Sequence, residues 1–189
     1  MNTITYNRTY FSNLSEAQFK NWIAQHSAEL GCASLFTYTD KGICPIIKNL
    51  TKKYAMDGDD FVPSHVGNII RVGTQIFVFN MIPPKSKTTL LYDYLKDADF
   101  DYRIVTFDNN EFNNYQYTVD TLKYNNRSYG YLSALQSGIK PLRWIPNRKA
   151  HCSEIFIKML QNQGYYKEIK ADDVTPVEAY NLLVYGSLR

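Results

Sequence analysis

Cysteine is scarce in this chain. The 189 residues hold three, Cys32, Cys44 and Cys152, an odd number without framework spacing. That excludes a disulfide-stapled scaffold and reads as free thiols in a reducing compartment. No Cys-x-x-Cys pair occurs, and His26, His65 and His151 are scattered, so no zinc site and no cofactor is expected. No apolar run approaches the ~20 residues that span a bilayer. No N-terminal stretch joins a charged start, an apolar run and a small-residue cleavage site. The chain is therefore expected to be soluble, cytoplasmic and not transmembrane, with any action outside requiring another delivery route. Repeats, low-complexity tracts and Gly/Ser linkers are also missing, which points to one domain over 1–189. Strong charge is absent too. Lys and Arg number 21 against 18 Asp and Glu, a net +3 that is too small to argue for nucleic acid. The densest basic stretch, Lys140, Arg143, Arg148 and Lys149, reads as a solvated loop before it reads as a polyanion site.

What the chain does have is apolar and aromatic mass. Hydrophobic residues make up 44% and aromatics 15%, with 16 Tyr, which predicts order almost end to end. Ser15 and Gln18 can form a capping box for a helix that carries Phe19, Trp22, Ile23 and Leu30 and stops at Gly31. A strand is expected at Ala33–Tyr38 and a short helix between Ile43 and Tyr54. Two strand patterns, Val66–Val72 and Gln75–Ile82, flank Gly73-Thr74 as a hairpin that Pro83-Pro84 ends. Leu90, Leu91, Tyr94 and Leu95 suggest a helix, Tyr102–Phe107 a strand, and Tyr115–Tyr124 and Tyr129–Gln136 two more helices. A helix from about Ser153 to Gln163 closes at Gly164. Thr175-Pro176-Val177-Glu178 combines an N-cap, a first-turn proline and a capping-box Glu for a last helix through Leu183. About four strands and five or six helices make an α+β domain.

Three residues carry candidate chemistry. Cys152 stands at the start of the Cys152-Ser153-Glu154-Ile155-Phe156 helix, where unpaired N–H groups and the helix dipole favour a thiolate and can receive an oxyanion. Its spacing to Phe156 and Met159 is also that of a core position. His65 opens the strand Ser64-His65-Val66-Gly67, held but uncrowded, as suits a general base or a satisfied structural histidine. Asn80 is a lone amide among large apolar residues on the partner strand. It needs a hydrogen-bond partner, either the imidazole of His65 or the turn before Pro83. His151, adjacent to the thiol in sequence, points elsewhere in most backbone geometries and is a poor base, though it can raise the local positive potential.

Together these segments resemble the circularly permuted branch of the NlpC-type papain-like fold, the YiiX-like and lecithin:retinol acyltransferase-like cysteine hydrolases. The matching pieces are Ser64-His65-Val66-Gly67, then Phe77-Val78-Phe79-Asn80, then Cys152-Ser153-Glu154, followed by Gly164-Tyr165 and the Thr175-Pro176 helix. The resemblance covers 32–189 as a permuted papain-like core and leaves 1–31 as an N-terminal strand and helix extension. It implies a central antiparallel sheet with helices packed on it, and a cysteine peptidase or amidase-type activity with Cys152 as nucleophile, His65 as base and Asn80 as the orienting residue. The position of Asn80 is commonly a glutamate in YiiX-like proteins. The implied substrates are a peptide, an isopeptide, a cell-wall peptide or an acyl lipid. Acyl transfer in the same fold is the first alternative. The second is a non-catalytic papain-like module in a larger assembly, such as a phage structure, for which the tyrosines between Tyr92 and Tyr131 supply an interface with a protein partner.

Overall fold

Short alternating apolar segments build one antiparallel sheet. The computed structural model describes residues 3–107, 112–139, 141 and 149–188. Its strands are β1 (Thr3–Asn7), β2 (Cys32–Tyr38), β3 (His65–Val72), β4 (Gln75–Asn80), β5 (Lys87–Leu90) and β6 (Asp101–Phe107). They lie in the order β1-β6-β2-β3-β4-β5, every neighbouring pair antiparallel. The helices are α1 (Arg8–Ser12), α2 (Glu16–Gln25), α3 (Ser27–Leu30), α4 (Cys44–Thr51), α5 (Leu91–Leu95), α6 (Asn114–Leu122), α7 (Tyr131–Gly138), α8 (Cys152–Asn162) and α9 (Pro176–Tyr185).

The domain is α+β, with the two edge strands beyond the four expected. β5 is a four-residue Lys-Thr-Thr-Leu edge too short to show alternation. β1 pairs with β6 from Thr3↔Phe107 to Asn7↔Arg103, so the segment read as an extension supplies an edge of the sheet. α2 stops at Gln25, short of Gly31, and α3 adds a separate turn. Both capping boxes form. Ser15 N–H donates to Gln18 Oε1 at 2.8 Å, and Thr175 N–H to Glu178 Oε2 at 2.9 Å.

Because successive strand residues point to opposite faces, one strand feeds two cores. Cys32 and Phe36 of β2 join Val66, Ile70 and Phe79 beneath Ile155, Phe156 and Tyr180 of α8 and α9. Ala33 and Leu35 join Ile69, Val78 and Ile104 against Phe11, Phe19 and Trp22 of the N-terminal helices. The sheet is thus covered on both faces. Each fully buried Leu, Ile or Phe contributes about 1.5–3 kcal/mol relative to exposure. Of the tyrosines between Tyr92 and Tyr131, Tyr102, Tyr117 and Tyr129 are buried, and Tyr115 and Tyr131 are prominently exposed. Rings with room in a core are drawn there by their apolar area. No helix among the described residues is long and apolar enough to cross a membrane.

Candidate active site

β3 and β4 meet where His65 and Asn80 end their strands. Gly67 lies directly across from Asn80 in the ladder, two residues along β3 from His65 and on the same face. A Cβ at Gly67 would stand 2.6 Å from Asn80 Oδ1 and 3.0 Å from Val78 Cγ2. The missing side chain is the gap through which the Asn80 amide reaches back to His65, Nε2 to Oδ1 at 2.9 Å. An amide oxygen only accepts, so Nε2 carries the hydrogen, and the neutral ring presents a lone pair at Nδ1. Both side chains are buried, His65 7% and Asn80 1% exposed. Burial pushes the imidazole down to about 4, with the Asn80 bond opposing it in part. The Ser64 N–H anchors the strand start by donating to Thr37 O at 3.0 Å.

Cys152 is the first residue of α8, with His151 as its extended N-cap. The thiol is 3% exposed, within the cluster that holds Val66, Met81, Tyr129 and Ile155. Burial pushes it up. The His151 ring and the N–H groups of Val66, Ser153 and Cys152 itself pull the other way, and burial prevails. The Val66 N–H contact places the sulfur against the peptide that follows His65. The two groups therefore meet at the 65–66 peptide, but no hydrogen bond joins imidazole and thiol. The strand alternation explains this: Val66 and Ile70 belong to the α8 face, and His65 shares the opposite parity with Gly67 and Ile69.

Around this pair stand three groups with polar atoms. Cys44, at the first position of α4, is half-buried, and its thiol is pushed up by burial while facing the Ser64 hydroxyl and, farther off, Cys152. Tyr129 is buried beside Cys152, its ring edge-on to Tyr131 with centroids 5.2 Å apart. Burial holds the Tyr129 phenol well above its usual range, so it is a neutral hydrogen-bond donor. Gly130 is the closest backbone approach: its N–H donates to Ala150 O at 2.9 Å, and a Cβ there would lie 2.2 Å from Lys149 O.

No protein-family model, curated protein or solved structure matches this chain.

The expectation that His151 is no base for the thiol agrees with where its ring goes. Ser133 Oγ lies 2.8 Å from His151 Nδ1 and donates to Glu154 Oε2 at 3.1 Å. Glu154 is also 3.4 Å from Nδ1, and His151 Nε2 is 3.3 Å from Val174 O. Serine and glutamate thus crowd one ring nitrogen and a carbonyl holds the other, so the ring cannot pass a proton from Ser133 to Glu154 as a nucleophile–base–acid relay would. The arrangement is a buried brace. Ser153 Oγ adds a bond to Val174 O at 2.7 Å, and Glu154 binds Lys158 at 2.6 Å. Burial alone would raise the Glu154 carboxyl, but the bonds from His151 and Lys158 hold it down to about 2. The brace locks the first turn of α8 to α7 and to the segment before α9.

Sequence reading missed Ser133, Glu154, Gly130 and the Val66 N–H. Only Glu154 left a signal, its i+3 spacing from His151. Of the basic stretch, Lys140, Arg143 and Arg148 lie outside the described residues, and Lys149 lies within them.

Proposed function

We propose that the chain is a cysteine hydrolase acting on an amide or ester carbonyl, with Cys152 as nucleophile, His65 as base and Asn80 as the residue that orients the base. The observation that carries this reading is the His65 Nε2–Asn80 Oδ1 bond at a strand start whose 65–66 peptide the Cys152 thiol contacts from a helix N-terminus. Nδ1 takes the thiol proton, and sulfur adds to the carbonyl carbon as the C–N or C–O bond weakens. The leaving group takes that proton from Nδ1, and water then releases the acyl group and restores the thiol. The Cys152 N–H and the Tyr129 hydroxyl are the donors this reading assigns to the developing oxyanion. Discharge to an acceptor other than water makes the same machinery an acyltransferase. The imidazole and thiol are both neutral at rest by the direction of their shifts, so the proton passes to the imidazole as the sulfur attacks its electrophile. The permuted papain-like fold is part of this proposal and is supported by the order and placement of the His65 strand, the Asn80 strand and the Cys152 helix.

A second reading, a non-catalytic module of the same fold, is favoured by the enclosed thiol and the unmade imidazole–thiol bond. One experiment separates the two. Iodoacetamide labelling of Cys152 is followed by mass spectrometry between pH 5 and 9 in a Cys44→Ser background, with and without His65→Ala. The hydrolase reading expects Cys152 to label faster than buried Cys32 and to slow about tenfold or more without His65, the size of one general-base contribution. Labelling that ignores His65 and matches Cys32 would leave the module reading.

A further inference from the structure

A groove of about 680 Å³ lies on the α8 side of the sheet, and its floor includes Met81 and Ala150. Met81 shares the buried cluster of Cys152, and Ala150 packs against that cluster, so these lining residues adjoin the Cys152 side of the proposed site. Four cations line it: Lys85, Lys123, Arg127 and Lys149, with no acidic side chain among the lining residues. Two other grooves of about 550 and 460 Å³ each mix both signs, Glu16 with Lys96 in both of them. Lys123 is tethered to the buried Asp120 carboxylate at 2.6 Å. Lys85 and Arg127 are exposed and have no ion-pair partner among the described residues. Like charges around a concavity repel one another, and a bound anion relieves that repulsion.

Resting on the hydrolase reading, we infer that this groove takes the acidic part of a peptide substrate, carboxylate side chains flanking the carbonyl presented to Cys152. The cations stand on separate segments, Lys85 after β4, Lys123 and Arg127 after α6, and Lys149 before α8, and the fold brings them to one groove. Four cations are fewer than the six to ten phosphate contacts that give proteins strong salt-dependent hold on DNA. An acidic peptide is the better fit.

The test is fluorescence anisotropy with the full chain and two labelled decapeptides, one rich in Asp and Glu and one with Asn and Gln in their place, plus a labelled single-stranded oligonucleotide. The acidic peptide is expected to bind, the amide peptide to bind at least tenfold more weakly, and Lys85→Gln/Arg127→Gln to lose about tenfold, as two exposed ion pairs would. Circular dichroism of that variant is expected to match the parent, since both side chains are exposed. Equal binding of the two peptides, full retention in the double variant, or tighter binding of the oligonucleotide than of the acidic peptide would each overturn the inference. Peptide retention is independent of thiol reactivity, so the iodoacetamide result and this one fail separately. An unreactive Cys152 with intact peptide binding removes the hydrolase reading alone, and a reactive Cys152 without peptide preference removes the groove assignment alone.

Discussion

Gly67 and Asn80 face each other across the β3–β4 ladder, and only the absence of a side chain on the first lets the second reach His65. A cross-strand pair in which one partner must be empty makes the orientation of the imidazole depend on a residue that touches no substrate.

Gly67→Ala is accordingly expected to push the amide off its 2.9 Å bond, because the new Cβ would sit 2.6 Å from Oδ1 with Phe79 O at 3.1 Å on another side. Overpacking of this kind costs about 1–3 kcal/mol. Urea denaturation checks the cost, and ¹⁵N spectra of the imidazole check the tautomer, which is expected to become mixed. Retention of a single Nε2–H tautomer would contradict the account.

His65 sets a pH window of its own. Its folded value of about 4 lies below the usual histidine value of 6.5, so between these the unfolded chain binds a proton that the folded one does not. Stability from this group is then complete above about pH 6.5 and is lost as pH falls toward 4. The full span corresponds to about 3 kcal/mol. Chemical denaturation at pH 7 and pH 4.5, compared with His65→Gln, is expected to show most of this loss in the parent and little in the variant.

Glu154 acts in a lower window. Its folded value of about 2 is depressed from 4.5, so its contribution is complete above 4.5 and is lost as pH falls through 2. Glu154→Gln is expected to destabilise the protein at pH 7 and to flatten the stability profile below pH 4, leaving the His65 window unchanged.

His151→Ala removes the ring that links Ser133, Glu154 and Val174, and strands part of a buried carboxylate. Breaking a buried pair by deleting one partner costs about 3–5 kcal/mol. At 2–4 °C per kcal/mol for a chain of this size, Tm is expected to fall by about 6–20 °C. A shift under 2 °C would show that the brace does not hold the α8 start.

Thiol reactivity in the unliganded parent is expected to follow exposure. Cys44, half-buried, should label with iodoacetamide before Cys32 and Cys152, both buried. Mass spectrometry of a time course gives the order directly.

Much of the fold was legible along the chain because local rules govern it. The capping boxes at Ser15 and Thr175 and the hairpin at Gly73 are decided by residues within a few positions of one another, and each forms as expected. The edge strand β5 was not legible, nor was the place of the N-terminal strand at the edge of this sheet. Thr3–Asn7 becomes a strand because β6 offers it a ladder, and Lys87–Leu90 because β4 does. For the site, the residue types and their order pointed to His65, Asn80 and Cys152, and the His65–Asn80 bond follows from hairpin register, a local property. The relation of His65 to Cys152, 87 positions apart, does not. It depends on how α8 lies across β3, on which side of the 65–66 peptide each group approaches, and on the brace through Ser133 and Val174, which has no sequence pattern. By itself the sequence determined the elements, their caps and the identity of the polar residues, since these rest on backbone propensity and near-neighbour hydrogen bonds. Only the tertiary structure decided that the thiol is enclosed, that burial holds the imidazole neutral, and that four cations line one groove, because burial and field are sums over residues that the chain brings together from afar.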